Sequence, residues 1–140
     1  MYQHILMPLE NTETDHAIIA HIKQLALLMN SKITLLHVAD GFAARYQEQL
    51  NLVPSEEMIK DQHYLERVQK ELQQAGLMVD IYLDTGEPVK KILEYADKNN
   101  CDLIAMSTHG HGMFKDFLFG SVAADVRHQT NLPVLLLKGR

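Results

Sequence analysis

Five short apolar runs recur along the chain, at residues 4 to 9, 32 to 38, 77 to 84, 102 to 107 and 132 to 138, most of them bounded by polar or turn residues. Runs of that length predict strands buried on both faces, the pattern of a parallel sheet. Between them the spacing turns helical. Ile18, Ile22, Leu25 and Met29 fall on one face, Met58, Leu65, Val68, Leu72 and Ala75 on another, and Val89, Ile92, Leu93 and Ala96 form a third stripe. The alternation β-α-β-α-β-α-β-α-β with right-handed crossovers predicts an α/β fold: a doubly wound, open, parallel five-stranded sheet of Rossmann-like type, with helices on both faces and strand order 3-2-1-4-5. No repeat or linker interrupts it, so residues 1–140 are expected to form a single domain.

Helix ends carry their own signals. Thr12 or Thr14 is expected to cap the first helix, Ser55 with Glu56 and Glu57 to open the second, and Gly76 to close it. Gly86-Glu87-Pro88 opens the third, with Pro88 suited to the first turn, and Ser121 is a cap for the fourth.

Composition narrows the function classes. Hydrophobic residues make up 46% and charged residues 22% of the 140, with neither Gly nor Pro enriched, which excludes collagen-like and disordered chains. Thirteen basic against eighteen acidic residues give a formal charge of −5 with no basic stretch, so neither nucleic acid nor an anionic membrane is the expected partner. Cys101 is the only cysteine, which leaves no intrachain disulfide and no thiolate cluster and fits a reducing cytoplasm. The N-terminal residues show no signal-like pattern, and no apolar run is long enough to span a bilayer.

In doubly wound sheets the ligand sits beyond the carboxyl ends of the strands, where the strand order reverses. With the reversal between the first and fourth strands, two loops build the site: Leu9 to Thr12 and Ser107 to Gly120. The second is long for a βα connection, and its Ser107, Gly110, Gly112, Gly120 and Ser121 let backbone amides approach a ligand ahead of a helix N-terminus, as a phosphate cradle requires. The other long connection, 39 to 54, holds Phe42, Tyr46 and Leu50 at helical spacing, either a short lid helix or a surface excursion packed on its own aromatics. No P-loop and no complete dinucleotide fingerprint is present. From the residues alone, the glycines fit plain turn chemistry as well as a phosphate site.

Ser107-Thr108-His109-Gly110, nine residues, then Gly120-Ser121 resembles the nucleotide motif of the universal stress protein family, Gly-x-x-Gly followed nine residues later by Gly-Ser/Thr. The resemblance extends to His4-Ile5-Leu6-Met7-Pro8, Leu35-Leu36-His37-Val38, Gly86-Glu87-Pro88 and Leu132-Pro133-Val134-Leu135-Leu136. It implies binding of ATP, or of AMP or ADP, with any Mg²⁺ arriving on the nucleotide. It also implies the residues. Ser107, Gly110, Gly120 and Ser121 would hold the phosphates, with Val122 as a further amide donor; from its place in the same loop, His111 is expected beside them as a phosphate neighbour. Val38 would pair its backbone with adenine, Leu9 and Met106 would supply apolar contact, Glu10 stands where members carry aspartate beside the ribose, and Pro8 is a further expected nucleotide-binding position. Ser107 replaces the first glycine of the motif.

Other chemistries fit less well. His109 and His111 lack the further converging ligands of a metal site, and Ser121 lacks a nucleophile elbow, so no catalytic residue is expected. Without a strong general base or an arginine finger, ATP turnover would be slow or absent. A phosphoacceptor receiver would place Glu10, Asp84 and Lys138 together, but it needs an acidic pair and a fifth helix after Lys138. A family member that binds no nucleotide and acts through protein contacts is the remaining alternative. The apolar last strand, 133–138, predicts an edge that pairs with its symmetry mate in a homodimer, as the resemblance also implies.

Overall fold

The expected strands and helices form in the expected order. A computed structural model describes the backbone of residues 1–40, 56–108 and 117–139, with the side chains of these except Asp40 and 117–121. The elements are β1 (His4–Pro8), α1 (Asp15–Met29), β2 (Lys32–Asp40), α2 (Glu56–Gln74), β3 (Met78–Gly86), α3 (Pro88–Lys98), β4 (Leu103–Thr108), α4 (Phe117–Gln129) and β5 (Val134–Lys138). All strand pairs are parallel, and the sheet order is β3-β2-β1-β4-β5. The order reverses between β1 and β4, as the sequence predicts.

Side chains alternate across the sheet and define two cores. Ile5 and Met7 of β1, Ile33 and Leu35 of β2, and Leu103 and Ala105 of β4 pack with Ile18, Ile22 and Ala26 of α1 and Leu65, Val68 and Leu72 of α2. On the other face Leu6, Leu36, Ile104 and Met106 pack with Val89, Ile92 and Ala96 of α3 and Ala123 and Val126 of α4. Both faces of β1 and β4 are therefore buried, and this is the physical origin of their uninterrupted apolar runs.

Local chemistry fixes most helix ends. Gly76, at φ +101°, closes α2: its amide donates to the Gln73 carbonyl and the Leu77 amide to the Leu72 carbonyl, the paired bonds of a Schellman motif. Glu87 caps α3 by accepting the amides of Val89 at 3.1 Å and Lys90 at 2.9 Å, with Pro88 in the first turn. Two expectations are corrected. Thr14 precedes α1 in helical backbone geometry and its side chain makes no cap bond. Helix α4 begins at Phe117, so Ser121 lies within it and is not its cap. A serine caps only where the chain before it is non-helical, and nothing in Phe117-Leu118-Phe119 breaks a helix. The connection after β4 is correspondingly shorter than predicted, residues 109–116. Ser55 and the 41–54 stretch lie outside the described residues.

Candidate functional site

The carboxyl ends of β1 and β2 open on a cavity of about 100 Å³ lined by Pro8, Leu9, Glu10, Leu36, His37, Val38, Pro88 and Ile92. Pro8 ends β1 and Val38 lies near the end of β2, held in parallel register by Met7 opposite Leu35 and Pro8 opposite Leu36, and by the Leu9 amide donating to the Leu36 carbonyl at 2.8 Å. Pro88 and Ile92 come from the start of α3, which the Glu87 cap sets against this end of the sheet. The lining is largely apolar. Glu10 is the acid at its rim.

Four sequence-predicted residues, Pro8, Leu9, Glu10 and Val38, thus line one cavity. Met106 is fully buried in the core between β4 and the α3–α4 side and does not line it. Ser107, equally buried, donates its hydroxyl hydrogen to the Thr14 carbonyl at 2.9 Å, which ties the end of β4 to the start of α1 across the switch point. With that proton committed, the Ser107 hydroxyl keeps only its oxygen lone pairs to offer a ligand. Gly120, Ser121 and Val122 lie in the first two turns of α4, while Gly110 and His111 lie outside the described residues.

The loop after β1 is held by a network that sequence reading missed. Asp15, 1% exposed at the start of α1, turns its carboxylate back toward the loop and accepts the amides of Glu10 at 3.1 Å and Asn11 at 2.8 Å. The Tyr64 hydroxyl of α2 donates to the same carboxylate at 2.7 Å. Burial first, and then this hydrogen bond, raise the Tyr64 phenol above its ordinary pKa. Asn11, at φ +64°, a conformation asparagine tolerates, sends its side-chain amide to Asp61 Oδ1 at 3.0 Å. His37 bridges back: Nδ1 donates to the Leu9 carbonyl at 2.7 Å and Nε2 lies 3.1 Å from Asp61 Oδ2. Glu10 Oε2 accepts the Thr14 hydroxyl at 3.0 Å. The partners lie up to about fifty residues apart in sequence, so no local pattern signals them.

The receiver geometry is absent. Asp84 sits on edge strand β3, 3.8 Å from Lys91, while Lys138 ends β5 at the opposite edge of the sheet. Among the described residues no group of three or more His, Cys, Asp or Glu side chains converges as a cation site. None of the described helices is long and apolar enough to cross a membrane.

Comparison with known proteins agrees with this architecture. The universal stress protein MJ0577 of Methanocaldococcus jannaschii is 28% identical over 99% of this chain and 96% of its own length. Its solved structure superposes with a TM-score of 0.83 at 29% identity, covering 100% of this chain and 98% of that one. Two further structures share the fold at 20% identity: an Archaeoglobus fulgidus universal stress protein in complex with dAMP (TM-score 0.73, 98% of each chain) and a universal stress protein in complex with cAMP (TM-score 0.72, 99% of this chain and 98% of that one). The model of the universal stress protein family matches residues 1–138, and the chain belongs to that family.

Proposed function

We propose that this protein binds an adenine nucleotide, ATP or its di- or monophosphate, at the carboxyl ends of β1, β2 and β4, and works as a stress-response or signalling module in the cytoplasm. The observation that supports this best is the convergence on one cavity of Leu9, Glu10 and Val38, which the resemblance assigns to the nucleoside, with Pro8 beside them. An apolar slot between Leu9, Val38 and Ile92 suits a flat base. The backbone at the end of β2 offers a base edge its donors and acceptors, and Glu10 offers the ribose hydroxyls an acceptor. Phosphates would then run toward Ser107 and the first turn of α4, where a helix's N-terminal amides and dipole favour negative charge. Two proteins of this fold hold adenine nucleotides, which supports the same ligand class. Magnesium enters this reading only on the nucleotide's phosphates. The reading includes a homodimer through β5 and binding with slow or no hydrolysis.

The test is thermal unfolding of the purified protein with ATP, ADP and AMP. Ligand at a hundred times its dissociation constant adds roughly 2.7 kcal/mol, a rise of several degrees in Tm. The expected result is a saturable rise for at least one of the three, abolished by Gly120→Val. No rise at millimolar concentrations of any of them overturns the nucleotide reading and favours a family member acting through protein contacts.

A further inference from the structure

The network beneath the cavity joins it to a helix that contributes nothing to its lining. Two backbone segments wall the cavity on the β1–β2 side, Leu9–Glu10 and His37–Val38. Each is held from α2. Tyr64 donates to Asp15, which in turn binds the amides of Glu10 and Asn11. Asp61 holds the Asn11 side chain with one oxygen and lies against His37 Nε2 with the other, while His37 Nδ1 spans to the Leu9 carbonyl. Tyr64 and Asp61 are three apart and so share a face of α2, from which they meet the loop together.

We propose that Asp61 and Tyr64 are positioning residues for the cavity: as a clasp from α2 they set the spacing between the Leu9–Glu10 and His37–Val38 segments that a ligand must fit. The inference rests on the nucleotide reading for its ligand, and its physical basis is geometric. A carboxylate that holds two loop amides and a phenol has little freedom to shift. Losing the phenol or the Asp61 contacts releases the loop toward other conformations without touching the ligand itself. It also couples α2 to occupancy of the cavity, since whatever a ligand does to those segments reaches Asp61 directly through His37 and Tyr64 through the Asp15 carboxylate.

The experiment compares wild type with Tyr64→Phe, Asp61→Asn and the double variant, with Tyr82→Phe, on the β3 edge outside the network, as control. Dissociation constants for AMP and for adenosine are measured by calorimetry well below each variant's Tm, so that lost global stability alone leaves them unmoved. The expected result is weaker binding by about threefold or more in each single variant and about tenfold in the double, equal for AMP and adenosine because the clasped segments wall the nucleoside end, with Tyr82→Phe unchanged. Unchanged affinity in both single variants, or a loss for AMP alone, overturns the clasp. Amide exchange at Glu10 and Asn11 is followed in parallel without ligand. Tyr64→Phe should speed it locally, and unchanged protection also overturns the clasp. Wild type that binds neither compound, nor ATP or ADP, refutes the nucleotide reading instead, and the exchange result then decides the clasp on its own.

Discussion

Asp15 and Cys101 show how much a single position depends on what surrounds it. Asp15 opens a helix, where an acid beside the N-terminal amides is favourable in any context, yet here it is almost fully buried and its carboxylate points back into the loop. Burying that charge is tolerable because two backbone amides and a phenol bind it. Sequence reading placed the cap on Thr12 or Thr14, the usual residue types, and so misplaced the chemistry of this turn. Cys101 is buried, at 5% exposed, and burial, with the Asp102 carboxylate as a lesser cause, pushes its thiol up to about 11. A raised pKa keeps the thiol protonated, so at pH 8 the native protein holds far less thiolate than the unfolded chain. Alkylation by iodoacetamide at pH 8 is expected to run about a hundredfold slower in native protein than in urea, the two differing by roughly two pKa units. Equal rates by mass spectrometry would show the thiol to be accessible and ordinary.

At the scale of elements, the ends of α2, α3 and α4 show what a sequence displays and what it hides. Gly76 sits at φ +101° with nothing within 4 Å of the position a β-carbon would take, so only backbone strain opposes a side chain there. Gly76→Ala should cost about 1 kcal/mol or more in urea unfolding while leaving the native spectrum intact, and a neutral substitution would mean that the α2 end relaxes out of the Schellman turn. That glycine, and Glu87 with Pro88, could be read in advance because each end is closed by residues adjacent in sequence. The strands were legible for a related reason, burial on both faces, though β2 and β3 run two residues further than their apolar runs, to Asp40 and Gly86, because backbone pairing continues where side chains turn polar. The start of α4 was not legible, since Gly120-Ser121 carries capping residue types while helical geometry begins three residues earlier, at Phe117. The candidate site divides along the same line. Pro8, Leu9, Glu10 and Val38 follow from strand ends and a family motif. The clasp of Asp15, Asp61, Tyr64, Asn11 and His37 depends on packing α2 against the β1 loop, which only the folded chain brings about.

For the whole molecule, the sheet has two edges, and they are built differently. On β3, Asp80 and Asp84 alternate with Met78 and Tyr82 along one face; Asp80 pairs with Lys32 at 2.8 Å, and the Tyr82 ring lies 5.4 Å from that of Tyr95. Charges repeated along an edge discourage a further strand from adding. The β5 edge has no such guard: Val134-Leu135-Leu136-Leu137 is uncharged until Lys138, and Leu136 is 38% exposed. Its inner side is fully used, with Ile104 to Thr108 in register against Val134 to Lys138, and among the described residues no strand pairs with its outer side. A second copy of the chain would supply the same strand in a self-complementary arrangement, so that the two β5 edges close on each other. On this argument the proposed dimer would form through β5 and leave β3 free. Leu136→Lys should convert a dimer at micromolar concentration into a monomer in sedimentation equilibrium, while Met78→Lys, at the 69% exposed start of β3, should leave it dimeric. A wild type that sediments as a monomer would remove the dimer. A dimer broken by Met78→Lys and not by Leu136→Lys would move the interface to the other edge.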